Sequence, residues 1–532
     1  MKHIHTKNFI KLSTIVFVLM IGIYSCTDLS EDPFNEITEE NFNPTERDIP
    51  RLLGPAYARA WFMGCCYDYI SMQEGAGDSY VTPARPNGWG GPYLPYHYHE
   101  WTPVHPHVTT GWNQLFNGIN AANRVYFQIE GETIQTDSEQ QTRLLAELRA
   151  IRAYYYYHLM DNYGDVPIVT DFTDESLPVQ STRQEVFDFV VAELTTAMPN
   201  LSEQADNTTY GRMNRWAALA TLARVYLNAE VYTGTPGWTE VINYTDQIIN
   251  SGLFELNPDY RNNFTIDNNN SNEIIFAVPY DEVFAGGNTM HMRTLAPEQQ
   301  QSFQMAAQPW GGSAATPQSI ETYDEDDTRL DDTWSGGPQL DLQGNVVIDF
   351  SFNIPSIEAT EFRHGYRVNK YEIYPGMQVA SSVDLPLFRY SMVLMMKAEA
   401  LLRTGNADEA ATLVTQVRER AFVETNPADA VVTGAELQQG SSFNYGIWDG
   451  ENEQVDNPVG GNDIQYGRFL DELLWEFGVE GFRRQDLIRF DAYDKPWFKK
   501  SSTNEPCRTI FPIPQEAIDD NPNLEQRNNC FD

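Results

Sequence analysis

The sequence predicts a mainly α-helical fold, in which paired helices form a scaffold that carries long loop-rich insertions and a few short strands. Apolar residues recur at steps of three or four in several segments, which is the spacing of one helix face. These segments end at turns that contain Gly, Pro or Asn. Between them lie long stretches rich in Gly, Pro, Asn and aromatic residues. At 532 residues the chain is long enough to bury a large core.

The first 25 residues have the features of a lipoprotein signal peptide. An apolar run of about 13 residues, at 12–24, follows several lysines and no acidic residue. A membrane-spanning helix needs about 20 residues, so this run is too short to serve as one. The boundary at 23–26 is of the kind cut by lipoprotein signal peptidase, which leaves an acylated cysteine. We therefore expect a signal peptide at 1–25 and lipidation at Cys26, with a plain secretory signal as the alternative.

The charge balance excludes some classes of partner. The chain holds 35 basic and 75 acidic residues, for a formal net charge of −40. Nucleic-acid binding depends on Lys and Arg that displace counterions from phosphates, so this balance argues against it. It also argues against a polybasic contact with anionic lipids. We therefore expect membrane attachment to come from the lipid at Cys26.

Helical spacing is clearest in five segments. In residues 141–160 the apolar positions Leu144, Leu148, Ile151 and Tyr155 fall on one face. The same spacing predicts helices over 214–230, 238–250, 390–403 and 408–420. Residues 397–410 resemble the middle of a tetratricopeptide repeat, although no strict register of about 34 residues runs through the chain. The helix pairs are therefore expected to be degenerate and interrupted.

Three insertions interrupt this scaffold, near residues 68–111, 279–352 and 423–463. They are rich in Gly, Pro, Asn and aromatic residues, with short strand signals such as 273–278 and 346–352. Long stretches without regular structure inside a compact protein are usually functional. We expect them to carry the ligand-binding loops of one mature domain at 26–532.

The cysteines beyond Cys26 allow three disulfide pairings. An oxidising compartment permits such bonds. Cys507 with Cys530 is the preferred pair, because a loop of that length closes readily and would hold the C-terminal tail. The adjacent Cys65 and Cys66 could form only a strained ring, so free or buried thiols are expected there.

Several motifs occur in order from Cys26 to the C-terminus. The most specific are AELRAIRAY at 146–154, leading into YGDVP at 163–167, then WEFGVEGFRRQDLIR at 475–489 and FPIPQEAID at 511–519 followed by Asn521-Pro-Asn523. Together with residues 26–57 and 112–124, these segments resemble the SusD/RagB family of Bacteroidetes outer-membrane lipoproteins. One departure lies at 526–530, where a Gln-Asn-Pro-Gly-like turn is usual in the family and this chain has Cys530.

The resemblance implies several properties. The fold would be helical, with tetratricopeptide-like hairpins and a loop-rich ligand face. The protein would sit on the cell surface, anchored to the outer membrane by lipid. It would act as a lid on a SusC-like TonB-dependent transporter and take part in glycan uptake for polysaccharide utilization. Family ligands are usually glycans, whereas the RagB branch handles peptides, and neither catalysis nor a cofactor is expected.

Two loop regions carry the mixture of groups that sugar binding needs. Pyranose rings present apolar C–H faces that lie favourably against aromatic rings, and their hydroxyls need convergent polar groups. Each aromatic residue could instead pack within its own loop. The candidate ligand-binding residues are Asn87, Trp89, Tyr93, Tyr96 and Trp101 in the first region, Trp310 and Trp334 in the second, and Arg363 and Tyr366 nearby.

Other polar clusters are interpreted as structural. The acidic run at 324–329 could hold calcium, but it lacks EF-hand spacing, so a solvated or salt-bridged turn is preferred. Four histidines could ligate zinc, but Pro103 and Pro106 indicate an irregular loop and no HExxH helix follows. We therefore expect no metal; the histidines are His97, His99, His105 and His107.

A string of Arg and Glu between 468 and 489 could be taken for paired glycosidase carboxylates. Alternating charges at helical spacing are ordinary salt-bridge chemistry, so a structural ion network is the preferred interpretation. The sequence also has neither a GxSxG elbow nor a phosphate-binding GKS or GKT loop. The members of the string are Arg468, Glu472, Glu476, Glu480, Arg483, Asp486 and Arg489.

Overall fold

The structure is a computed structural model that describes residues 48–63, 69–527 and 530–531. The expected signal peptide, the lipidation site Cys26 and the pair Cys65 and Cys66 lie outside the described residues. Among the described residues, no helix combines the length and the apolar character required to cross a membrane.

Helices dominate the described chain. The longest are the two that cover residues 106–163, and most short ones lie in the expected insertions. In chain order the α-helices are α1 (Ile49–Tyr57), α2 (Tyr69–Gln73), α3 (Leu94–Tyr98), α4 (Pro106–Glu130), α5 (Ser138–Tyr163), α6 (Arg183–Ala197), α7 (Arg215–Leu227), α8 (Ala229–Thr233), α9 (Trp238–Ser251), α10 (Met290–Thr294), α11 (Gln300–Phe303), α12 (Pro317–Ile320), α13 (Arg329–Thr333), α14 (Tyr390–Arg403), α15 (Ala407–Phe422), α16 (Gly434–Leu437), α17 (Gly467–Phe477), α18 (Arg483–Arg489) and α19 (Gln515–Asp520).

The strands are short and form five antiparallel pairs within the described residues. Three pairs join segments far apart in the chain: β1 with β3, β2 with β8, and β4 with β7. The other two are local hairpins, β5 with β6 and β9 with β10. Their bounds are β1 (Tyr80–Val81), β2 (Ile274–Val278), β3 (Ala314–Ala315), β4 (Trp334–Ser335), β5 (Gly337–Leu340), β6 (Val346–Phe350), β7 (Arg367–Val368), β8 (Leu385–Arg389), β9 (Ile447–Asp449) and β10 (Gln454–Asp456).

The long helices pack side by side in a chain of neighbours: α4 against α5, α5 against α6, α7 against α9, α9 against α14, and α14 against α15. The mainly α-helical prediction is confirmed, and its five helical segments correspond to α5, α7, α9, α14 and α15. This succession of packed pairs is consistent with tetratricopeptide-like hairpins.

Local signals account for the helix ends. Asn214 caps α7, since its side chain accepts from the main-chain N–H of Trp216 and Ala217. Thr182 and Glu185 form a capping box at the start of α6. Gly252 ends α9 with a φ of 65°, a conformation that favours glycine. Each of these residues stands in the sequence where a helix boundary is expected.

Small residues let the first helix pair approach closely. A Cβ atom at Gly118 of α4 would lie 2.6 Å from the ring of Tyr155 on α5, so no larger residue fits there without movement. The Tyr155 hydroxyl donates to the carbonyl oxygen of Ala56 at 2.7 Å. Helices α1, α4 and α5 are thereby held in one unit.

The ion network that the sequence predicts is present and buried. Glu476 of α17 accepts from Arg389 and Arg420, each at 2.6 Å, and pairs with Arg329 at 3.2 Å. Glu480 pairs with Arg389 at 2.7 Å and with Lys370 at 2.6 Å. These residues come from α13, β8, α15 and α17, and from the segments that follow β7 and α17. The network therefore ties the helical scaffold to the chain that carries the insertions.

The C-terminal segment is held at two points. Cys507 and Cys530 form a disulfide with a Cα–Cα distance of 5.9 Å, which confirms that prediction. Asn521 donates to the carbonyl oxygen of Pro178, and Asn523 donates to that of Leu177, both at 2.9 Å. The Asn-Pro-Asn motif thus fastens the loop between α5 and α6.

Candidate functional site

Segments from two separated parts of the chain meet beside β1 and β3. The main-chain N–H of Ala84 donates to the carbonyl oxygen of Ile357 at 2.8 Å, and that of Thr360 donates to Ala84 at 3.0 Å. The Arg85 side chain reaches Gly312, where its Nε donates to the carbonyl oxygen at 3.2 Å. Residues 84–93, 310–313 and 357–366 therefore lie together, and we call the region that they form the aromatic face.

Trp89 is fixed at the centre of the aromatic face. Its indole N–H donates to the carbonyl oxygen of Trp310 at 2.6 Å, and the Asn87 amide donates to the same oxygen at 2.7 Å. Its ring lies over Gly312, where a Cβ atom would come within 2.6 Å of it. Trp89 remains half-buried, so part of its ring stays open to solvent. The side chain of Trp89 is thus bonded to the main chain of Trp310 without help from a ligand.

Trp310 rests on a small apolar cluster that is separate from the main core. This cluster comprises Met292, Leu295 and Met305, and the half-buried Trp310 packs against it. The main-chain N–H of Trp310 donates to the carbonyl oxygen of Met292 at 2.6 Å. Apolar side chains therefore support Trp310, which stays partly exposed.

Tyr93 extends the aromatic face on the other side of Trp89. Its ring centroid lies 5.2 Å from that of Trp89 and 5.1 Å from that of His107. The guanidinium carbon of Arg293 lies 5.8 Å from the same ring. Tyr93 is half-buried and held by neighbours on two sides.

The segment at 361–366 completes the face. Tyr366 is half-buried and lies over Gly336, where a Cβ atom would come within 2.2 Å of its ring. Arg363 is exposed and pairs with Glu361 at 2.7 Å. Phe362 packs over Gly311, where a Cβ atom would lie 2.9 Å from its ring.

Sequence reasoning missed Phe362 and the glycine pair at 311–312. The signal that could have found them is the Trp310-Gly-Gly run, because adjacent glycines after an aromatic residue indicate close approach by other groups.

The structure removes three of the predicted ligand-binding residues from the surface. Tyr96, Trp101 and Trp334 are each at most 1% exposed. Tyr96 and Trp101 pack on Phe511, with ring centroids 5.8 and 4.7 Å away. Trp334 belongs to β4 and pairs with Val368 of β7. A ring covered on all sides cannot stack on a ligand, so these three residues anchor their loops instead.

A cavity of about 470 Å³ opens beside the aromatic face. Its walls come from the two segments that meet at Ala84, and several of them are polar or charged. The lining residues are Ala84, Arg85, Pro86, Pro355, Glu358, Ala359, Thr360, Glu361 and His364.

The third predicted insertion reaches the same region. The hairpin of β9 and β10 contacts the wall of this cavity, since a Cβ atom at Gly450 would lie 2.5 Å from Pro355. Trp448 donates to the Asn353 side chain at 2.9 Å, which fixes the hairpin to the segment before Pro355.

Two arginines lie buried beneath the aromatic face. Arg85 and Arg367 are 4% and 0% exposed, and both donate to main-chain carbonyl oxygens. Burial lowers the pKa of Arg367 to about 9. Burial, together with the positive charge of Arg367, also holds the pKa of Arg85 well below its ordinary value.

The four histidines are core residues. His99 shares a hydrogen bond of 2.9 Å with the carbonyl oxygen of Ala76, and His105 shares one of 2.8 Å with Pro92. Burial lowers the pKa of His97 and of His107 to about 3. The prediction of an irregular loop is wrong for Pro106, which begins α4. Proline suits the first position of a helix because its missing N–H is not needed there.

The acidic run at 324–329 is divided between two roles. Asp327 is buried and pairs with Arg329 at 2.6 Å, as expected of a salt-bridged turn. Asp324, Asp326 and Asp429 place carboxylate oxygens within 4.8 Å of one another, and Asp324 and Asp429 are exposed.

Two glutamates of the 468–489 string, Glu472 and Glu476, have pKa values lowered by neighbouring arginines. Burial alone would raise the pKa of Glu476, but Arg420, Arg389 and Arg329 hold it at about 2. Burial likewise raises the pKa of Glu472, but the charges of Arg468 and Arg418 outweigh it, so this pKa is also lowered. A carboxylate that stays ionised at neutral pH cannot donate a proton as a general acid.

Comparison with known proteins identifies the family. A family model described as starch-binding and associating with the outer membrane matches residues 79–227, and a model of the SusD family matches residues 331–531. The chain belongs to the SusD/RagB family. A SusD-like protein of Bacteroides ovatus is 27% identical over 290 residues, which span 51% of this chain and 50% of that protein.

Other relatives of this SusD/RagB-family chain match over greater lengths. The starch-binding protein SusD of Bacteroides thetaiotaomicron is 24% identical over 486 residues, covering 80% of this chain and 79% of that protein. The SusD-like protein P38 of Formosa agariphila is 23% identical and covers 98% of this chain and 99% of that protein.

Solved structures share the fold. Surface glycan-binding protein A from Bacteroides thetaiotaomicron, in complex with laminarihexaose, gives a TM-score of 0.69 at 19% identity and covers 91% of this chain and 99% of that one. A laminarin-binding SusD-like protein gives a TM-score of 0.67 at 18% identity, covering 90% and 97%. At this level of identity the likeness establishes the SusD-like architecture.

Proposed function

We propose that this chain is a cell-surface glycan-binding lipoprotein of the outer membrane. It captures oligosaccharides or polysaccharide on the aromatic face and delivers them to a partner SusC-like TonB-dependent transporter. No bond of the glycan is broken. Attachment to the membrane is through lipid at Cys26.

The observation that carries this proposal is the joining of Trp89 to Trp310. Two half-buried indoles lie in one region, and the Trp89 indole is fixed by its hydrogen bond to the main-chain carbonyl oxygen of Trp310, which also accepts from the Asn87 amide. An aromatic ring held in place before binding loses little conformational freedom when a sugar stacks on it. The apolar C–H face of a pyranose suits such a ring, since both surfaces leave water on contact.

Polar groups for sugar hydroxyls stand beside these rings. The Asn87 side chain is exposed, and its amide oxygen is an acceptor, since its N–H₂ group already bonds Trp310. Arg363 is exposed next to Phe362, and its guanidinium offers several donors. The mixture of half-open rings and surface polar groups favours a carbohydrate over a purely apolar ligand.

The relatives support the same class of ligand and the same location. The names of several related proteins refer to starch, laminarin or surface glycans. The description of the first family model places such proteins at the outer membrane. The transporter partner is the part of this proposal that follows from family membership.

The absence of catalysis is supported by the state of the acidic string at 468–489. Its buried glutamates are paired with arginines in the interior of the scaffold and are not on the aromatic face. A glycosidase needs one carboxyl with a raised pKa next to the scissile bond.

The test is to incubate the mature protein with a panel of neutral and acidic polysaccharides and to measure binding and products together. We expect retardation in polysaccharide gels and no release of shorter sugars. Trp89→Ala and Trp310→Ala should each abolish or strongly weaken the retardation. Hydrolysis products would contradict the binding-only function, and binding of peptides alone would assign the protein to the RagB-like branch.

A further inference from the structure

The cavity beside the aromatic face is lined by a buried guanidinium that has no anionic partner among the residues the structure describes. Arg85 lines this cavity and is 4% exposed. Its Nε and Nη1 donate to the carbonyl oxygens of Gly312 and Glu361. Its Nη2 has no acceptor among the residues that the structure describes. A buried charge satisfied only by neutral carbonyl groups is costly, so an anion placed here would be bound strongly.

Arg367 lies behind Arg85 and repeats the pattern. It is fully buried, and its two terminal nitrogens donate to the carbonyl oxygens of Ser313 and Phe362. Its Nε is without an acceptor among the described residues. Two guanidinium groups therefore raise the positive potential at the same wall of the cavity.

Buried arginines in the helical scaffold are satisfied differently. Arg389 pairs with Glu273, Glu476 and Glu480, and Arg329 pairs with Asp327 and Glu476. The protein thus supplies carboxylates to buried arginines where the role is structural. Beside the aromatic face, Arg85 and Arg367 have main-chain carbonyl oxygens as partners and no ion pair among the described residues.

Other charged groups at the cavity are already engaged. Glu361 pairs with the exposed Arg363 at 2.7 Å, and Glu358 accepts from the Tyr98 hydroxyl at 2.6 Å. His364 shares a hydrogen bond of 2.8 Å with the Thr360 hydroxyl. The two rim carboxylates weaken the attraction for an anion but do not reach the guanidinium of Arg85 as ion-pair partners.

We propose that this cavity binds an oxyanion carried by the glycan, either the carboxylate of a uronic acid or a sulfate ester, with Arg85 as its principal contact. The inference rests on the proposed glycan-binding function and narrows it to acidic glycans. Both groups present several oxygens to a planar guanidinium fork, which is the geometry that arginine recognises best.

The position of Arg85 relative to Trp89 makes this arrangement compatible with a single ligand chain. The main-chain N–H of Arg85 donates to the carbonyl oxygen of Trp89 at 3.3 Å, so both residues belong to one tight loop. A sugar ring stacked on Trp89 therefore has a neighbouring ring near the mouth of the cavity. The acidic group of that second ring would enter the cavity.

The first experiment compares matched sugars by isothermal titration calorimetry, with the full mature protein at about 0.15 M salt. Tetragalacturonate is compared with its complete methyl ester, and a carrageenan tetrasaccharide is compared with its desulfated form. We expect the acidic member of one pair to bind about tenfold tighter than its neutral counterpart. The pair that shows the difference identifies carboxylate or sulfate as the group recognised.

The second experiment changes the cavity without touching the buried arginines. Glu361 is 66% exposed, so Glu361→Gln should fold normally. Loss of its charge, which also frees Arg363, should raise the ratio of acidic to neutral affinity about twofold to fivefold. The matched control is Glu203→Gln, because Glu203 is 67% exposed and pairs with Arg215 at 2.7 Å elsewhere on the surface.

Arg85→Gln should bring the ratio of acidic to neutral affinity close to one. The fold of this variant is checked by circular dichroism. If it does not fold, the proposal is tested by the ratio of acidic to neutral affinity in Glu361→Gln. Equal affinity for the acidic and the neutral sugar in both pairs would overturn the proposal that the cavity binds an acidic group. An equal rise in the ratio of acidic to neutral affinity in Glu361→Gln and Glu203→Gln would overturn it too. Binding of neutral glycans in that case leaves the proposed function intact, whereas failure of every glycan to bind contradicts the proposed function itself.

Discussion

The indole N–H of Trp89 donates to the carbonyl oxygen of Trp310 at 2.6 Å, across 221 positions of the chain. This bond joins two predicted insertions through a ring that also serves as a ligand surface. Because the acceptor belongs to the main chain, replacing the Trp310 side chain leaves the bond possible. A substitution of Trp310 therefore removes only a ring surface, whereas a substitution of Trp89 can also remove the hydrogen bond that orients its ring.

Replacement of Trp89 by Phe and by Ala should separate these contributions. Trp89→Phe keeps an aromatic surface but loses the N–H donor, so glycan affinity should fall about threefold to tenfold. Trp89→Ala removes the stacking surface as well and should cost tenfold or more, about 1.4 kcal/mol at least. Affinity is measured by calorimetry or gel retardation. The control is Trp238→Ala, a half-buried tryptophan of α9, which should bind like wild type.

A methyl group at position 312 should displace Trp89. The Cβ atom of Gly312→Ala would lie 2.6 Å from the indole ring, closer than any normal contact, so the ring must move. We expect glycan affinity to fall about tenfold, with a change in unfolding free energy of about 1 kcal/mol or less. Gly91→Ala is the matched control, because no atom of the described chain lies within 4 Å of a Cβ atom there. Equal affinity of the two variants would show that Trp89 is not held by Gly312.

Removal of Arg389 should strongly destabilise the scaffold. Its guanidinium pairs with Glu273 at 2.8 Å, with Glu476 at 2.6 Å and with Glu480 at 2.7 Å. In Arg389→Met these carboxylates stay buried with fewer cations, so the free energy of unfolding should fall by about 3–5 kcal/mol. Urea denaturation measures the change. Arg215→Met, which breaks a surface pair with Glu203, should cost about 1 kcal/mol or less.

His97 should make the protein sensitive to acid. Its ring is buried and has no hydrogen-bond partner among the described residues, and burial, followed by the charge of Lys500, lowers its pKa to about 3. Above the unfolded-state pKa of about 6.5, His97 is neutral in both states and has no effect on stability. As the pH falls below 6.5, the unfolded chain takes up a proton that the folded one refuses, so stability is lost down to the folded pKa.

The measurement compares wild type with His97→Phe between pH 7 and pH 4. The wild type should lose on the order of 3 kcal/mol more than the variant over this range, because only its unfolded state gains the proton at position 97. Phe is chosen because the surroundings are aromatic: the ring centroids of Tyr98 and Phe498 lie 5.4 and 5.5 Å from that of His97. Parallel acid curves for the two proteins would contradict the buried, neutral assignment.

The disulfide between Cys507 and Cys530 should stabilise the folded chain by about 3 kcal/mol, because it closes a loop over a separation of 23 residues in the unfolded state. The double variant Cys507→Ser/Cys530→Ser should unfold at lower guanidinium concentration than wild type. Dithiothreitol should lower the stability of wild type to that of the variant and leave the variant unchanged. A variant that still responds to dithiothreitol would point to a second disulfide.

Helix positions could be predicted because their signals are local. The apolar face of α5, the Asn214 cap of α7 and the glycine that ends α9 each act within a few residues. The interpretation of the 468–489 string as an ion network was also sound, since buried opposite charges must find partners. The partners themselves could not be named, because Arg389 and Arg420 are brought to Glu476 only by the fold.

The aromatic residues of the insertions show where sequence reasoning stops. Trp89 and Trp101 stand in the same glycine- and proline-rich stretch, yet one is half-open and the other is closed. What separates them is Phe511, more than 400 positions along the chain, whose ring covers Trp101. No local pattern encodes a contact of that separation.

The sequence by itself determined the helical scaffold, the preferred disulfide and the abundance of rings in the insertions, because periodicity, spacing and composition act locally or statistically. Only the tertiary structure decided which rings face outwards and which arginines lie beneath them. The physical reason is that exposure depends on what another segment places over a side chain. For Trp89 that segment brings Gly312, which supports one side of the ring and leaves the indole half-open.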